Sequence, residues 1–365
     1  MRILHLLYEF KSGGAERFVC DLANWQSEAG HKVSVCILRP MTIENSFSRR
    51  FLHSGIDFYS LNISVGITPA KIKAVARAVK SASPDILHCH HNIVPYLLGL
   101  MFGKNDLSIV HTIHSASERA NKNSIERALC RYSYRRKKIT PVTISIVNLK
   151  SFERVYGLSA ECIPNGREAL NASPAFSDVR GYVTSLKRDE NTKVFIHVAR
   201  CHPVKNQLML MQAFNKLLDK FDNCILLVIG SGFDGREGAS IRQSAGPKVY
   251  FLGEKENVQD YLLLSDYFCL SSFSEGLSIS LLEALASGVT PVCTPVGGNL
   301  DVITDTKTGY LSKDVSVDSY AEALCRSVEA PLNRSFLKHY FESHYSIEAC
   351  ASAYQSLYES IAHNN

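Results

Sequence analysis

The chain has 365 residues, 45% of them hydrophobic and 21% charged, and a formal net charge of +5. That length exceeds one ordinary core and predicts two domains, and the composition is that of a soluble globular protein. Residues 1–170 carry 23 Lys and Arg against 13 Asp and Glu, while residues 171–365 carry 17 against 22, so the basic first half points to an anionic partner.

Eleven cysteines are scattered with no two within ten residues and no C-x-x-C. This argues against a disulfide framework or a zinc site and fits a reducing cytoplasm. The N-terminal residues are too few and too polar for a signal peptide, and no apolar run reaches the length of a membrane span. A cytoplasmic location follows as the expectation.

Short apolar runs alternate with helical patterns. Residues 3–7 read as a buried strand, 15–29 as a helix, and 32–38, 86–90, 108–114, 140–146 and 161–163 as further strands. Residues 167–190 lack apolar periodicity and are rich in Ser, Asp and Gly. The rhythm then resumes with strands at 194–198, 224–229, 249–252, 267–270 and 290–293 and a helix at 206–220. The expected boundaries are a first domain at 1–170, a linker at 171–190 and a second domain at 191–346. A final helix near 347–365 is a candidate to pack back onto the first. Each half predicts a parallel sheet with helices on both faces, and two such domains place a ligand cleft at the carboxyl edges of their strands.

The motifs sit at strand ends. Gly13 and Gly14 follow the first strand and open the first helix, as a turn or as a place where a ligand approaches the backbone. Five histidines cluster at two strand ends: His88, His90 and His91, then His111 and His114. A metal site competes here with strand-end histidines that line a cleft. The second reading is preferred, because neighbouring strand residues diverge and no carboxylate stands at ligand spacing, and His114 is then the best placed to meet a substrate.

In residues 123–138, Ile125, Ala128, Leu129 and Tyr132 form one helical stripe, and Arg127, Arg131, Arg135 and Lys138 another roughly opposite. The basic stripe suits either an anionic membrane surface or plain solvation. Arg200 and Lys205 follow the first strand of the second half, just before a helix, where a guanidinium and an ammonium suit a diphosphate. Gly230-Ser231-Gly232-Phe233-Asp234-Gly235 fits a dinucleotide fingerprint in pattern. It follows a strand that is not the first of its domain, and it is read as a loop.

Glu275 and Glu283 bracket the start of another helix, one in the loop and the other about two turns in. Gly276, Leu277 and Ser278 lie at the junction, where unpaired amides favour an anion. Taken alone the pair is read first as ordinary surface placement, and only the other motifs along the chain change that.

Taken together these stretches resemble glycosyltransferase family 4, the retaining nucleotide-sugar enzymes of GT-B architecture, in which two doubly wound Rossmann-like domains face each other across a cleft. The matching segments are Gly13-Gly14-Ala15-Glu16, Asp85 to His90, His111 to His114, Ile163-Pro164-Asn165-Gly166, Arg200 through Lys205, Glu275 with Glu283, Pro295-Val296-Gly297-Gly298 and Gly309-Tyr310-Leu311. Departures are Ala199 before Arg200, Arg167-Glu168 after the Asn-Gly, and Asp301 after the double glycine.

The resemblance implies that Arg200 and Lys205 hold the donor diphosphate, Glu283 the ribose, and Glu275 the donor sugar. It implies orienting amides near Gly276, Leu277 and Ser278, with His114 by the sugar and Gly13 and Gly14 by the diphosphate. No metal or other cofactor is implied. The expected partners are a UDP- or GDP-sugar, a glycan acceptor of lipid-linked type and an anionic membrane surface; nucleic acid is not expected. The implied setting is bacterial surface-polysaccharide assembly: lipopolysaccharide, capsule or exopolysaccharide. Two alternatives stay open, a sugar-nucleotide epimerase of the same architecture and a non-catalytic nucleotide-sugar-binding subunit.

Overall fold

The computed structural model describes residues 1–44, 46–101, 107–120 and 123–362; the end of the expected C-terminal helix, 363–365, lies outside the described residues. The chain divides into two compact units, one of residues 1–168 with 345–365, the other of residues 169–344.

The first unit is built on β1 (Arg2–Leu7), β2 (Lys32–Ile37), β3 (Asp57–Ser60), β4 (Ile86–His90), β5 (Ser108–Ile113), β6 (Thr140–Thr143) and β7 (Glu161–Cys162). They form a sheet in the order β3-β2-β1-β4-β5-β6-β7, with every neighbouring pair parallel. A parallel sheet covered on both faces needs apolar side chains on both, and hence β1 buries Ile3, Leu4, Leu6 and Leu7 without alternation. The exceptions are polar and share one face. His5 and His88 are register partners, and His90 lies two residues further along β4.

Helices Gly14–Glu28 and Ile347–Ala362 cover the face that carries these histidines, contributing Gln26, Tyr354 and Tyr358. The C-terminal helix is pinned at its start. Arg167 N donates to Tyr345 O and Ile347 N to Arg167 O, each at 3.0 Å. A Cβ on Gly166 would fall 2.6 Å from that of Cys350, so only glycine fits there. The Arg167 guanidinium meets Asp21 at 2.7 Å, both side chains buried. The departure at Arg167 thus ties the segment that holds this helix to Asp21 of helix Gly14–Glu28.

The second unit orders its strands β10-β9-β8-β11-β12-β13, again parallel throughout. They are β8 (Lys193–Val198), β9 (Cys224–Ile229), β10 (Val249–Gly253), β11 (Tyr267–Leu270), β12 (Thr290–Cys293) and β13 (Tyr310–Leu311). Its core gathers Phe195, Leu226, Cys269 and Val292 from the sheet with Leu210 and Phe214 from helix Gln207–Leu218.

Residues 171–190 are not a free connection. They contain helix Phe176–Leu186, which buries Val179 and Val183 at i, i+4, and Ser173 donates from N and Oγ to the buried Asp260 at 2.8 and 2.5 Å. The predicted strand 140–146 is also too long. It ends at Thr143, and Ser145 caps helix Ile146–Tyr156 by accepting from Asn148 N at 3.1 Å.

Both sheets reverse their winding direction once, between β1 and β4 and between β8 and β11. Ligands of open α/β sheets bind at the carboxyl ends of strands flanking such a reversal. Among the described residues no helix is long and apolar enough to cross a membrane. All eleven cysteines are free thiols.

Candidate functional site

In the second unit the two loops that leave β8 and β11 meet at the reversal. Lys205 ends a short turn of 3-10 helix after β8, and Glu275 lies in the loop after β11. Lys205 Nζ contacts Glu275 Oε1 at 2.7 Å, with side chains 20% and 8% exposed, and Ser272 Oγ donates to the same oxygen at 2.5 Å. The backbone fixes this geometry. Phe273 N donates to Val204 O at 2.8 Å, Ser271 Oγ to Lys205 O at 2.9 Å and Thr294 Oγ1 to Ser272 O at 2.6 Å. A cation and a carboxylate from separate loops are thus one unit.

Arg200 is exposed and has no carboxylate partner among the described residues; Gln207 Nε2 steadies its carbonyl at 2.9 Å. Two glycine sets permit the close approach of these loops. A Cβ on Gly297 (φ +53°) would lie 1.9 Å from Glu275 O, and one on Gly298 2.1 Å from Gly276 O, which accepts from Gly298 N at 2.7 Å. A Cβ on Gly230 would lie 2.0 Å from Ala199 O. That glycine of the apparent dinucleotide fingerprint therefore lets the β9 loop pass the strand end that carries Arg200.

Helix Ile279–Ala286 starts at Ser278, which gives no side-chain cap; its Oγ meets Ser280 Oγ at 3.1 Å. Amides at that start stay available to an anion. Glu283 is the fifth residue of the helix and half-buried, one turn in rather than the two that the spacing suggested, because the helix begins only at Ile279.

In the first unit Gly13 holds the N-cap position of helix Gly14–Glu28 with no side chain to cap it, and both glycines are exposed. Glu16, three residues on, reaches back over this turn: its Oε2 lies 2.3 Å from where a Cβ of Gly13 would sit, and its Oε1 is 3.8 Å from His91 Nε2. In the sequence Glu16 stands out only as the last residue of the glycine motif. A first-turn Glu three residues after the cap was the available signal.

The histidines do not simply line a strand edge. His88 and His90 are fully buried, together with His5, which was hidden inside an apolar run. Ring nitrogens of these three lie within 4.8 Å of one another, which is metal-like spacing, yet all six already have protein partners. His5 pairs with Gln26 and His90, His90 with His114, and His88 with Thr112 and Tyr358. His111 faces the other side of the sheet, onto Tyr134 OH at 2.8 Å and His91 O at 2.6 Å. His114 is half-buried at the end of β5. Burial holds His88, His90 and His114 well below the usual imidazole range and pushes His5 and His111 down to about 4.

Helix Ser124–Arg135 is rolled relative to expectation. It buries Cys130, Ser133 and Tyr134, and Leu129 of the expected stripe packs against the core, whereas Ile125 (76% exposed), Ala128 and Tyr132 (46%) face solvent beside Arg131 and Arg135. Tyr134 wins the inward position through its bond to His111 and its contacts with Phe152 and Tyr156. Arg127 turns partly inward, and Lys138 is exposed beyond the helix end. Apolar and basic groups therefore share one exposed face.

Residues 12–168 match the family model for Glycosyltransferase Family 4, and residues 182–340 match that for Glycosyl transferases group 1. The chain belongs to glycosyltransferase family 4. The N-acetyl-alpha-D-glucosaminyl L-malate synthase of Bacillus anthracis is 28% identical over 371 residues, covering 95% of this chain and 93% of that protein. The UDP-Gal:alpha-D-GlcNAc-diphosphoundecaprenol alpha-1,3-galactosyltransferase of Escherichia coli is 24% identical over 284 residues, covering 73% and 72%. Anabaena HepE, solved in complex with UDP and glucose, superposes with a TM-score of 0.81 at 17% identity, covering 99% of this chain and 100% of that one. The architecture is GT-B, and this family 4 chain is a glycosyltransferase rather than an epimerase.

Proposed function

We propose that this glycosyltransferase moves a sugar, with retention and without a metal, from a UDP- or GDP-sugar to a lipid-linked glycan acceptor in bacterial surface-polysaccharide assembly. The observation that carries the reading is the Lys205–Glu275 pair at the β8/β11 reversal, flanked by the exposed Arg200 and the uncapped helix start at Ser278. Arg200 and Lys205 neutralise the diphosphate as negative charge grows on it, doing what a metal would otherwise do. Glu283 anchors the ribose. Glu275 binds the donor sugar or steadies positive charge at its anomeric carbon, and the amides of Gly276, Leu277 and Ser278 orient it. Gly13, Gly14 and His114 are the donor-facing residues of the first unit.

The bond from the anomeric carbon to the phosphate oxygen breaks, the acceptor oxygen bonds to that carbon on the same face, and a leaving phosphate oxygen takes the acceptor proton. No separate base is needed. UDP-sugars are the first donors to test, since HepE was solved with UDP and glucose. Thermal-shift screening of a nucleotide-sugar panel should reveal one preferred donor. With it, Glu275→Ala and Lys205→Ala should each abolish transfer in folded protein, and Glu283→Ala should chiefly raise the donor KM. Full activity in Glu275→Ala or Lys205→Ala would sink the assignment.

The acceptor is met at a membrane through the exposed face of helix Ser124–Arg135. Arg131 and Arg135, with Lys138 beyond the helix end, suit anionic headgroups, and Ile125 and Tyr132 suit the interface between headgroup and acyl chain. Vesicles containing phosphatidylglycerol should bind the protein about tenfold better than phosphatidylcholine vesicles. The Arg131→Ala/Arg135→Ala double variant should erase the difference. Equal binding to both vesicles removes the membrane from the account.

A further inference from the structure

A file of side chains runs through the interior of the first unit to the end of β5. Gln26 Oε1 lies 2.8 Å from His5 Nε2, His5 Nδ1 lies 3.1 Å from His90 Nε2, and His90 Nδ1 lies 3.1 Å from His114 Nε2. Burial keeps these imidazoles neutral at pH 7, so each carries one ring proton. A neutral imidazole in such a file donates through one nitrogen and accepts through the other. The arrangement at one end therefore dictates that at the other.

Gln26 sets the direction. Its Nε2 lies 3.4 Å from Tyr358 OH. With the amide reversed, Gln26 Oε1 would face a hydroxyl that has only one proton to give. The same hydroxyl has a much closer acceptor in His88 Nδ1 at 2.6 Å, and His88 Nε2 in turn donates to Thr112 Oγ1 at 2.7 Å. Gln26 Oε1 thus accepts from His5 Nε2–H. His5 Nδ1 accepts from His90 Nε2–H, and His90 Nδ1 accepts from His114 Nε2–H. What remains is His114 Nδ1, a lone-pair acceptor that is buried and has no hydrogen-bond partner among the described residues. A buried acceptor with no partner is a destabilising feature that a ligand hydroxyl would relieve.

We propose that Gln26, His5 and His90 are positioning residues that hold His114 as its Nε2–H tautomer, so that Nδ1 accepts a hydrogen bond from a hydroxyl of a sugar bound at the carboxyl ends of β4 and β5. In this state His114 has no proton on Nδ1 to give, and it serves as an orienting acceptor rather than an acid. The sugar half of the proposal rests on the transferase reading above; the tautomer half does not.

Two-bond nitrogen–proton correlation spectra of the full chain with 15N-labelled histidine read each tautomer directly, with the His114 signals assigned by their loss in His114→Asn. At pH 7.5 without ligand, His114 should be wholly Nε2–H, should stay so in Gln26→Glu, and should become a tautomer mixture in Gln26→Met. A wild-type His114 that is Nδ1–H or doubly protonated overturns the proposal even if no variant folds. So does an unmixed Nε2–H signal in folded Gln26→Met. In transfer assays Gln26→Met should lower kcat/KM for the donor about three- to tenfold, the scale of one neutral hydrogen bond. One member of a deoxy-sugar donor series should lose a similar factor in the wild type and nothing further in His114→Ala. If no deoxy donor shows that pattern, the sugar half falls while the tautomer stands. If the wild type uses no nucleotide sugar at all, the transferase reading fails and the spectra are untouched.

Discussion

The Lys205–Glu275 pair should show a large thermodynamic coupling. At 2.7 Å, with an effective dielectric of about 20, the gross attraction is about 6 kcal/mol. Desolvating two side chains that are 20% and 8% exposed offsets most of it, leaving a net coupling of roughly 1–3 kcal/mol. The two single variants should not be equivalent. Lys205→Met strands the less exposed carboxylate with, among the described residues, the Ser272 hydroxyl bonded to it. Glu275→Gln leaves a flexible ammonium that can swing to water. Lys205→Met should therefore destabilise the second unit more, and the double variant should recover part of that loss. Urea unfolding reads this cleanly, because Trp25, the chain's only tryptophan, lies in the first unit. Its fluorescence follows that unit, and far-UV circular dichroism after subtraction follows the other. Additivity of the two substitutions to within about 0.5 kcal/mol would refute the coupled-pair reasoning.

Two more outcomes follow from packing and charge. His5 and His111 have folded-state values pushed by burial to about 4, against about 6.5 unfolded. Between those values the unfolded chain binds more protons, so stability is full above pH 6.5 and falls as the pH drops towards 4, by about 3 kcal/mol for each residue. The urea midpoint of Trp25 fluorescence should therefore drop steeply from pH 7 to pH 4.5, and a flat midpoint contradicts the buried-neutral assignment. Gly297→Ala forces a Cβ to within 1.9 Å of Glu275 O at a φ of +53°. With backbone strain of about 1–2 kcal/mol added to the overlap, the Glu275 loop must shift. Donor titration should show weakened binding, and wild-type affinity would mean that the loop is not held by this contact.

Much of the fold was legible because parallel strands buried on both faces read as apolar runs, as β1 and β9 do. The edge strands β3 and β13 were missed: Asp57–Ser60 is at best half-buried, and Tyr310–Leu311 has only two residues. Helix Phe176–Leu186 was missed because only Val179 and Val183 carry its burial. Helix Ser124–Arg135 was found, but Ile125, Ala128 and Tyr132 of its apolar stripe face solvent. Tyr134 lies inward instead, bonded to His111 and in ring contact with Phe152 and Tyr156, and periodicity does not encode that choice. His5 was overlooked for a related reason. It joins His88 through strand register, across 83 positions of sequence. A lone polar residue inside an otherwise apolar strand is the signal for such a partner.

The candidate site residues were placed one by one at their strand ends, but the bond between two of them was not foreseen. Lys205 had been assigned to the diphosphate and Glu275 to the sugar, as separate tasks. In the structure the ammonium of Lys205 is bonded to Glu275, because the loops after β8 and β11 are laced together by Phe273 N on Val204 O and Ser271 Oγ on Lys205 O. On the proposed reading an arriving diphosphate would compete with Glu275 for Lys205, so donor binding itself would alter the carboxylate assigned to the sugar. Replacing either residue therefore acts on both steps. Conservative variants at both positions should change donor KM and kcat together, whereas Glu283, on its helix one turn away, should act on KM alone.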